Sequence, residues 1–254
     1  MSRHRPVLTL LLVLTFVATA LAPIAAALPL TAGTDARSEA RPAVFVSPAE
    51  ELLVTFPGNY ASAAGLGNDW APDNLNTRGT DANGDGVWKF VTDAIPPGQY
   101  EFKVTVGGSW DENYGRNGQR NGPNVPFTVT QAGQTVHFYY DRSDHFVASR
   151  PDAIIPVVAG NFLAAIGGQN WAPDHLKSWM KDPDGDGIYT WRAAHVPAGT
   201  WEYKVALNES WDVSYPAANR SFTVPAGGNE VTFFYNAATH EVSERVGAAP
   251  PPPL

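Results

Sequence analysis

The sequence has no cysteine among its 254 residues. A disulfide framework, thiol catalysis and cysteine-ligated zinc are therefore excluded. It also has no HExxH zinc motif, no GxSxG nucleophile motif and no phosphate-cradling glycine-rich loop. The six histidines show no metal-ligand spacing. We therefore expect a protein that is not an enzyme, has no catalytic residue, holds no metal and needs no cofactor.

Positive charge is scarce too. The chain has 17 Lys and Arg against 25 Asp and Glu, which gives a formal net charge of −8. Scattered cations on an acidic protein gain nothing from phosphate groups, so we expect no nucleic-acid partner. Long helical patterns are also missing, and 23 glycines and 22 prolines favour short strands joined by tight turns.

The N-terminus has the composition of an export signal. In residues 1–27, basic residues precede an apolar run at 8–21, and the small residues at 25–27 suit a signal peptidase. The alternative is a retained anchor, because the apolar stretch could nearly span a bilayer. Thr15 and Pro23 weaken that alternative. We predict a secreted, extracellular protein that has no membrane contact after cleavage.

Two further segments lack the pattern of a folded domain. Residues 28–48 are small, polar and punctuated by proline, which predicts a flexible leader. Residues 247–254 contain four consecutive prolines, which predicts a stiff proline-rich tail. Because stiff spacers of this kind join domains, a second interpretation is that the chain is the N-terminal part of a longer modular protein.

An internal repeat organises the rest of the chain. Three motifs recur 101 residues later: Trp-Ala-Pro-Asp at 70–73 and 171–174, Gly-Asp-Gly at 84–86 and 185–187, and Ser-Trp-Asp at 109–111 and 210–212. Beyond the last motif the second copy is six residues shorter. We call the two copies module 1 (49–150) and module 2 (151–246).

Strand-like alternation runs through each module. Tyr100, Phe102 and Val104 would share one face of a strand, with the charged Glu101 and Lys103 on the other. Val136, Phe138 and Tyr140 would likewise share a face that His137 and Tyr139 do not. Short alternating strands in copies of about 100 residues predict an all-β fold of two tandem immunoglobulin-like antiparallel β-sandwich modules.

Four tryptophans stand in polar, loop-like segments: Trp70, Trp110, Trp171 and Trp211. A sugar ring stacks its C–H face on an exposed indole, which buries apolar area and leaves the hydroxyls free for polar groups. These residues are therefore candidates for carbohydrate binding. The alternative is that they pack beneath loops; solvent-facing, nearly coplanar rings would favour sugar, and buried rings a scaffold. Trp88, Trp179, Trp191 and Trp201 fit strand patterns and are expected to be structural.

Two lysines and two asparagines are further candidates for carbohydrate binding. Lys103 and Lys204 lie on the polar face of otherwise apolar strands and could donate to sugar hydroxyls. Asn124 and Asn219 precede the next strand of each module and could add amide hydrogen bonds. The alternatives are a solvated strand face for the lysines and turn formation for the asparagines.

Acidic segments raise two further hypotheses. Residues 81–86 and 182–187 resemble the first half of a calcium loop, but Thr92 and Ala193 stand where the bidentate Glu would be. An Asx-type hairpin turn is the preferred interpretation. The adjacent acids at 111–112 could suggest glycoside hydrolysis, yet Val213 replaces the second acid in module 2.

The combined motifs resemble a known family. They are Gly-Asn-Phe at 160–162, Trp-Ala-Pro-Asp at 171–174, Asp-Pro-Asp-Gly-Asp-Gly at 182–187, Glu-Tyr-Lys-Val-Ala at 202–206 and Ser-Trp-Asp at 210–212. They look like the starch-binding accessory module that occurs, often in tandem, in bacterial pullulanases and amylopullulanases. The resemblance implies an α-glucan partner (starch, amylopectin or glycogen), with a glycoside hydrolase as a further partner. Module 1 departs from it at 81–83 and at 105–108.

The layout is also distantly similar to the glycogen-binding module of the AMP-activated kinase β subunit. That resemblance implies a glucan cradle of two tryptophans and one lysine per module, namely Trp70, Lys103 and Trp110, and Trp171, Lys204 and Trp211. Two alternatives stay open: a structural or protein-binding sandwich pair, and the truncated N-terminal part of a secreted amylase or pullulanase.

Overall fold

The computed structural model describes residues 52–227 and 229–247. The predicted signal peptide (1–27), the leader (28–48) and all but the first residue of the proline-rich tail lie outside the described residues. In the described part of the chain, no helix has the length and apolar character needed to cross a membrane.

The described residues form strands and short 3₁₀ turns, as the alternation predicts. Module 1 contains β1 (Val54–Thr55), β2 (Arg78–Gly79), β3 (Val87–Thr92), β4 (Gly98–Phe102), β5 (Val104–Val106), β6 (Asn113–Tyr114), β7 (Val125–Val129), β8 (Val136–Asp141) and β9 (Val147–Arg150). Module 2 contains β10 (Pro156–Gly160), β11 (Ile188–Val196), β12 (Gly199–Leu207), β13 (Ser210–Val224), β14 (Asn229–Asn236) and β15 (Val242–Val246). The 3₁₀ turns are Leu75–Thr77, Arg116–Gly118, Leu163–Ile166 and Leu176–Ser178.

All strand pairs are antiparallel, and each module divides its strands between two faces of a sandwich. In module 2 the sheets are β10-β12-β13 and β11-β14-β15. Module 1 has the matching sheet β3-β8-β9, and its other face is divided into β2-β1-β5-β6 and the pair β4-β7. The prediction of an all-β fold with two tandem sandwich modules is confirmed; the boundaries at 150 and 246 stay predictions.

Each sandwich closes around an aromatic core. The ring of Phe138 on β8 lies 4.8 Å from Phe102 across the sandwich in an edge-to-face contact. Phe233 on β14 meets Tyr203 in the same way, also at 4.8 Å. All four side chains are fully buried. Burying each aromatic side chain contributes about 1.5–3 kcal/mol, so these rings account for much of the stability of each module.

The alternation on β8 is confirmed for one face only. Val136, Phe138 and Tyr140 are buried as expected, but Tyr139 is also completely buried. It packs against Trp179 of module 2, with 5.9 Å between ring centroids. Module 2 therefore covers the second face of β8 at Tyr139. The sequence of β8 could not show this, because His137 and Tyr139 give that face a mixed polar and apolar pattern.

Candidate functional site

The structure brings the predicted tryptophans together in two pairs of the same shape. Trp70 and Trp110 have ring centroids 6.4 Å apart and planes inclined by 43°. Trp171 and Trp211 have the same separation and the same inclination. Each pair joins residues about 40 positions apart in sequence, and we call the pairs platform 1 and platform 2.

The platforms are open to solvent. Trp110 is 38% exposed and Trp211 is 43% exposed, while Trp70 and Trp171 are half-buried beside them. The rings are tilted and not coplanar, so of the two features that would favour sugar the solvent exposure is present and the coplanarity is not. In each module two apolar ring faces therefore meet the solvent at an angle to one another.

The backbone around the first tryptophan of each platform is strained. Trp70 and Trp171 both have a φ of 55°, in the left-handed region that bulky side chains rarely adopt. The Trp70 N–H donates to the Gly58 carbonyl at 3.1 Å, and the Trp171 N–H donates to the Gly160 carbonyl at 3.2 Å. The same uncommon conformation at the same position in both modules is typical of a functional site.

The glycine that holds each tryptophan cannot be replaced easily. A Cβ on Gly58 would lie 2.4 Å from the Glu101 carbonyl oxygen, and one on Gly160 would lie 2.6 Å from that of Glu202. The next residue, Asn59, accepts a hydrogen bond from the Glu101 N–H at 2.8 Å. Close backbone approach therefore explains the glycine in the recurring Gly-Asn-aromatic motif.

The second tryptophan is supported differently in the two modules. In module 1, Trp110 lies in a turn whose carbonyl accepts from Asn113 at 2.8 Å, and Arg120 donates to the Asp111 carbonyl at 2.9 Å. Arg120 belongs to the segment in which module 1 is six residues longer. The sequence predicts a loop around Trp211, but in module 2 this residue lies in the long strand β13. Side chains of the longer segment in module 1 therefore support the turn that carries Trp110.

The two lysines lie at equivalent positions but have different surroundings. The Lys204 ammonium donates to the Ala217 carbonyl at 3.0 Å. Among the described residues, the Lys103 ammonium has no hydrogen-bond or ion-pair partner. Partial burial lowers the pKa of the Lys103 ammonium. All the N–H donors of the Lys103 ammonium are therefore unused, whereas one donor of Lys204 is already bonded.

The two asparagines are held in the same way. The Asn124 amide donates to the Glu101 carboxylate at 3.0 Å, and the Asn219 amide donates to the Glu202 carboxylate at 3.1 Å. Both glutamates are exposed and share a strand face with the lysine two residues away. Sequence reasoning missed these two acceptors, although the recurrence of Glu-aromatic-Lys in both modules could have identified them.

The acidic segments fold as hairpin turns. The Asp182 carboxylate accepts backbone N–H bonds from Gly185, Asp186 and Gly187. Carboxylate oxygens of Asp182, Asp184 and Asp186 lie within 4.8 Å of one another. In module 1 the Asp81 carboxylate accepts from Asp85 and Gly86 in the same manner. These contacts fit the Asx-type turn that the sequence favours.

Acids beside the platforms are engaged in local contacts. Glu112 accepts from the Tyr114 hydroxyl at 3.1 Å and lies 3.7 Å from the Arg142 guanidinium. Burial is the main cause that raises the pKa of Tyr114, and Glu112 raises it further. Asp111 accepts from the Ser109 hydroxyl at 3.0 Å. The position of Glu112 is occupied in module 2 by Val213, which is 44% exposed.

Comparison with protein families finds both modules. The family model described as the pullulanase X25 domain matches residues 53–147 and again residues 155–242. The two matched segments contain both platforms, both lysines and both asparagines. The repeat found in the sequence therefore corresponds to two copies of one recognised domain.

Two curated relatives are amylopullulanases. The protein from Thermoanaerobacterium thermosulfurigenes is 38% identical over 113 residues, 44% of this chain and 6% of that protein. The protein from Thermoanaerobacter thermohydrosulfuricus is 30% identical over 200 residues, 73% of this chain and 13% of that protein. A solved pullulanase from Bacillus acidopullulyticus is 38% identical, covers 37% of this chain and 12% of its own, and gives a TM-score of 0.34. The chain thus spans only a small share of the length of its relatives.

Proposed function

This chain belongs to the pullulanase X25 domain family, and from that premise we propose that it binds starch-like α-glucan without hydrolysing it. The observation that carries the proposal is the recurrence of one tryptophan pair, at 6.4 Å and 43°, in both modules. A packing role alone would not require an exposed indole at the same place twice. Relatives that carry the name amylopullulanase support glucan as the ligand class.

The shape of each platform favours a curved glucan. An α-1,4-linked chain winds into a helix, so consecutive glucose rings present apolar faces at an angle to one another. Two indoles inclined by 43° can stack on two such rings. Cellulose presents its rings in one plane, and a flat ribbon would leave one of the two indoles without a partner.

Polar groups beside the platforms would bind the hydroxyls. Lys103 offers ammonium donors, and the oxygens of Asn124 and Glu101 offer acceptors on the same strand face. In module 2, Lys204, Asn219 and Glu202 would have the same roles. A single shallow site should bind weakly, because much of the stacking gain is offset by ordering of the sugar.

A binding role without hydrolysis agrees with the acids near the platforms. Glycoside hydrolysis requires two carboxyl groups facing each other about 5–9.5 Å apart across the scissile bond. Glu112 is paired with Tyr114 and Arg142, and Val213 takes its place in module 2. We also propose that the protein is secreted and acts outside the cell beside a glycoside hydrolase, as the resemblance implies.

The test is affinity electrophoresis in gels that contain amylopectin, glycogen or a soluble cellulose derivative. The parent protein should be retarded by the two α-glucans and not by cellulose. A variant with all four platform tryptophans changed to Ala should lose retardation while its circular dichroism spectrum stays native. Val91→Ala, which removes an exposed apolar side chain away from the platforms, serves as the control and should bind normally.

Two outcomes would contradict the proposal. If the parent is retarded by no α-glucan, the function is wrong, and a structural or protein-binding role becomes the better explanation. If the four-tryptophan variant is folded and still binds, the site is wrong. Release of reducing ends from pullulan or amylose by the purified protein would refute the absence of hydrolysis.

A further inference from the structure

The two modules meet through an apolar cluster built from both of them. Its buried members are Val87, Tyr139 and Ala148 of module 1 and Ile155, Val157, Leu176 and Trp179 of module 2. Trp179 is 2% exposed and lies edge-on to Phe146, with 5.5 Å between ring centroids. Side chains of both modules are therefore removed from water by contact with each other, as in a domain core.

A carboxylate of module 2 lies at the edge of this cluster. Glu209 accepts from the Lys89 ammonium at 2.6 Å and from the Tyr139 hydroxyl at 2.7 Å. The oxygen that accepts from Tyr139 is also 3.9 Å from the Arg150 guanidinium. The Glu209 side chain is only 12% exposed, so these contacts are shielded from competing water. Burial raises the pKa of Tyr139, and the charge of Glu209 raises it further.

The turn that carries Glu209 is unusual for its residues. Asn208 and Glu209 have φ values of 60° and 61°, in the region that glycine prefers. Module 1 has glycine at both equivalent positions, Gly107 and Gly108, with φ values of 83° and 73°. Asn208 accepts from the Ile155 N–H at 3.0 Å. Asn208 and Glu209 thus replace glycine at positions where their side chains make contacts: Asn208 bonds Ile155 beside the junction, and Glu209 bonds module 1 across it.

Module 1 also contacts the loop that carries Trp171. The Leu176 N–H donates to the Asp85 carboxylate at 2.7 Å in a buried contact. The Asn83 amide donates to the Asp174 carbonyl at 3.1 Å. On the same side, Lys181 pairs with Asp141 of module 1. Both segments that build platform 2 are thus held by module 1: the Trp171 loop through these bonds, and the Trp211 hairpin through its turn.

From these contacts we infer that module 1 fixes platform 2 in place, so that the two platforms keep a fixed distance and orientation and bind a long glucan chain as a preorganised pair. The inference rests on the proposed function. A rigid pair engages a polymer without first ordering the modules, which increases the benefit of the second site over a flexible tether. Glu209 acts here as a positioning residue, since it contacts module 1 and not the ligand.

The repeat supplies a matched variant. Module 1 folds with Arg78, Thr80 and Gly108 at the positions of Trp179, Lys181 and Glu209. The triple variant Trp179→Arg/Lys181→Thr/Glu209→Gly therefore gives module 2 residues that this sandwich already tolerates. Glu241→Gly is the control, because it removes an exposed carboxylate on the β14–β15 turn and changes the net charge by the same amount.

The experiment compares tumbling and binding. Backbone ¹⁵N relaxation should give one rotational correlation time for both modules of the parent and of Glu241→Gly, and shorter, separate values in the triple variant. Titration with maltoheptaose, which occupies one platform, should give affinities within about twofold of the parent. Affinity for long amylose should fall about tenfold in the triple variant, because the sites remain tethered but are no longer preorganised.

The outcomes separate this inference from the proposed function. If the triple variant still tumbles as one body, or keeps the parent's affinity for amylose, the inference is overturned. If the parent binds neither maltoheptaose nor amylose, the proposed function fails, and a shared correlation time would then support only the rigid junction. Glu209→Gly alone should lie between the parent and the triple variant in both measurements.

Discussion

Leu75 and Leu176 hold the same position in the two modules, yet Leu75 is 66% exposed and Leu176 is completely buried. Leu176 is covered by module 1, whereas in the described structure no neighbour covers Leu75. The lysines also differ, but here the module 1 residue has fewer contacts: the Lys103 ammonium is free, and the Lys204 ammonium donates to the Ala217 carbonyl. Equivalent sequence positions therefore have different surroundings: the Lys103 ammonium is unbonded, and the loop that carries Trp171 is held by module 1.

This comparison predicts which substitutions should act alike and which should not. The cores are matched, so equivalent core changes should have equal effects. The junction, the lysines and the second face of β8 are unmatched, so equivalent changes there should have unequal effects.

Matched core substitutions should be equally severe. Phe138→Ala and Phe233→Ala each remove a fully buried ring that contacts four other aromatic rings at 4.8–5.7 Å. We expect each to lower the free energy of unfolding of its module by about 3–5 kcal/mol. Chemical denaturation monitored by circular dichroism measures this. A difference of more than about 2 kcal/mol between the two variants would show that the modules do not share one packing scheme.

The same substitution at the two equivalent leucines should change stability by very different amounts. Leu176→Ala leaves a cavity in the junction and should cost about 2–5 kcal/mol. Leu75→Ala changes an exposed side chain and should stay within about 0.5 kcal/mol of the parent. The same denaturation experiment applies, with Leu75→Ala as the control. Equal losses would mean that Leu75 is also covered in solution.

The same substitution at the two equivalent lysines should weaken maltoheptaose binding to different extents. In a background where Trp171 and Trp211 are Ala, Lys103→Met should weaken maltoheptaose binding about tenfold, because a charged donor is lost. In the reciprocal background, where Trp70 and Trp110 are Ala, Lys204→Met should weaken binding only about threefold, since a ligand must compete with the Ala217 carbonyl. Isothermal titration calorimetry measures both. A larger loss at Lys204 would reverse the ranking of the platforms.

The smallest effect should be a pH dependence that arises from His137 of module 1. Burial is the main cause that lowers the pKa of His137, the nearby Arg150 and Lys89 lower it further, and Glu209 opposes them. Because its pKa is lower in the folded state, His137 binds a proton more readily in the unfolded state. The free energy of unfolding should therefore begin to fall as pH drops through the unfolded-state pKa of about 6.5. Module 2 has Thr232 at the equivalent position.

His137→Thr copies the module 2 residue and should reduce the loss of thermal stability between pH 7.5 and pH 5. Melting curves of parent and variant across that range provide the measurement. The difference between them should be absent at pH 7.5 and should grow below pH 6.5. A constant offset at every pH would indicate a packing effect of the substitution and contradict the titration.

Much of the platform could be predicted from the repeat. The four tryptophans, the two lysines and the two asparagines were proposed as site residues because the same residue types recur in both modules, and that assignment stays a prediction. Their partners were harder to predict. Glu101 and Glu202 look like ordinary exposed residues of a strand, and only the fold shows that they hold Asn124 and Asn219. Arg120 lies in the unmatched segment, where the repeat provides no comparison.

The sequence by itself determined the fold class, the two modules and their cores, because period-two alternation and turn residues are local properties of the chain. It also determined that a tryptophan pair exists in each copy. Only the tertiary structure decided how the pairs are inclined, which lysine is free, and that Tyr139, Leu176, Trp179 and Glu209 join the modules. These features depend on contacts between residues that are distant in sequence. A side chain's local pattern is the same whether a neighbouring module or water lies against it.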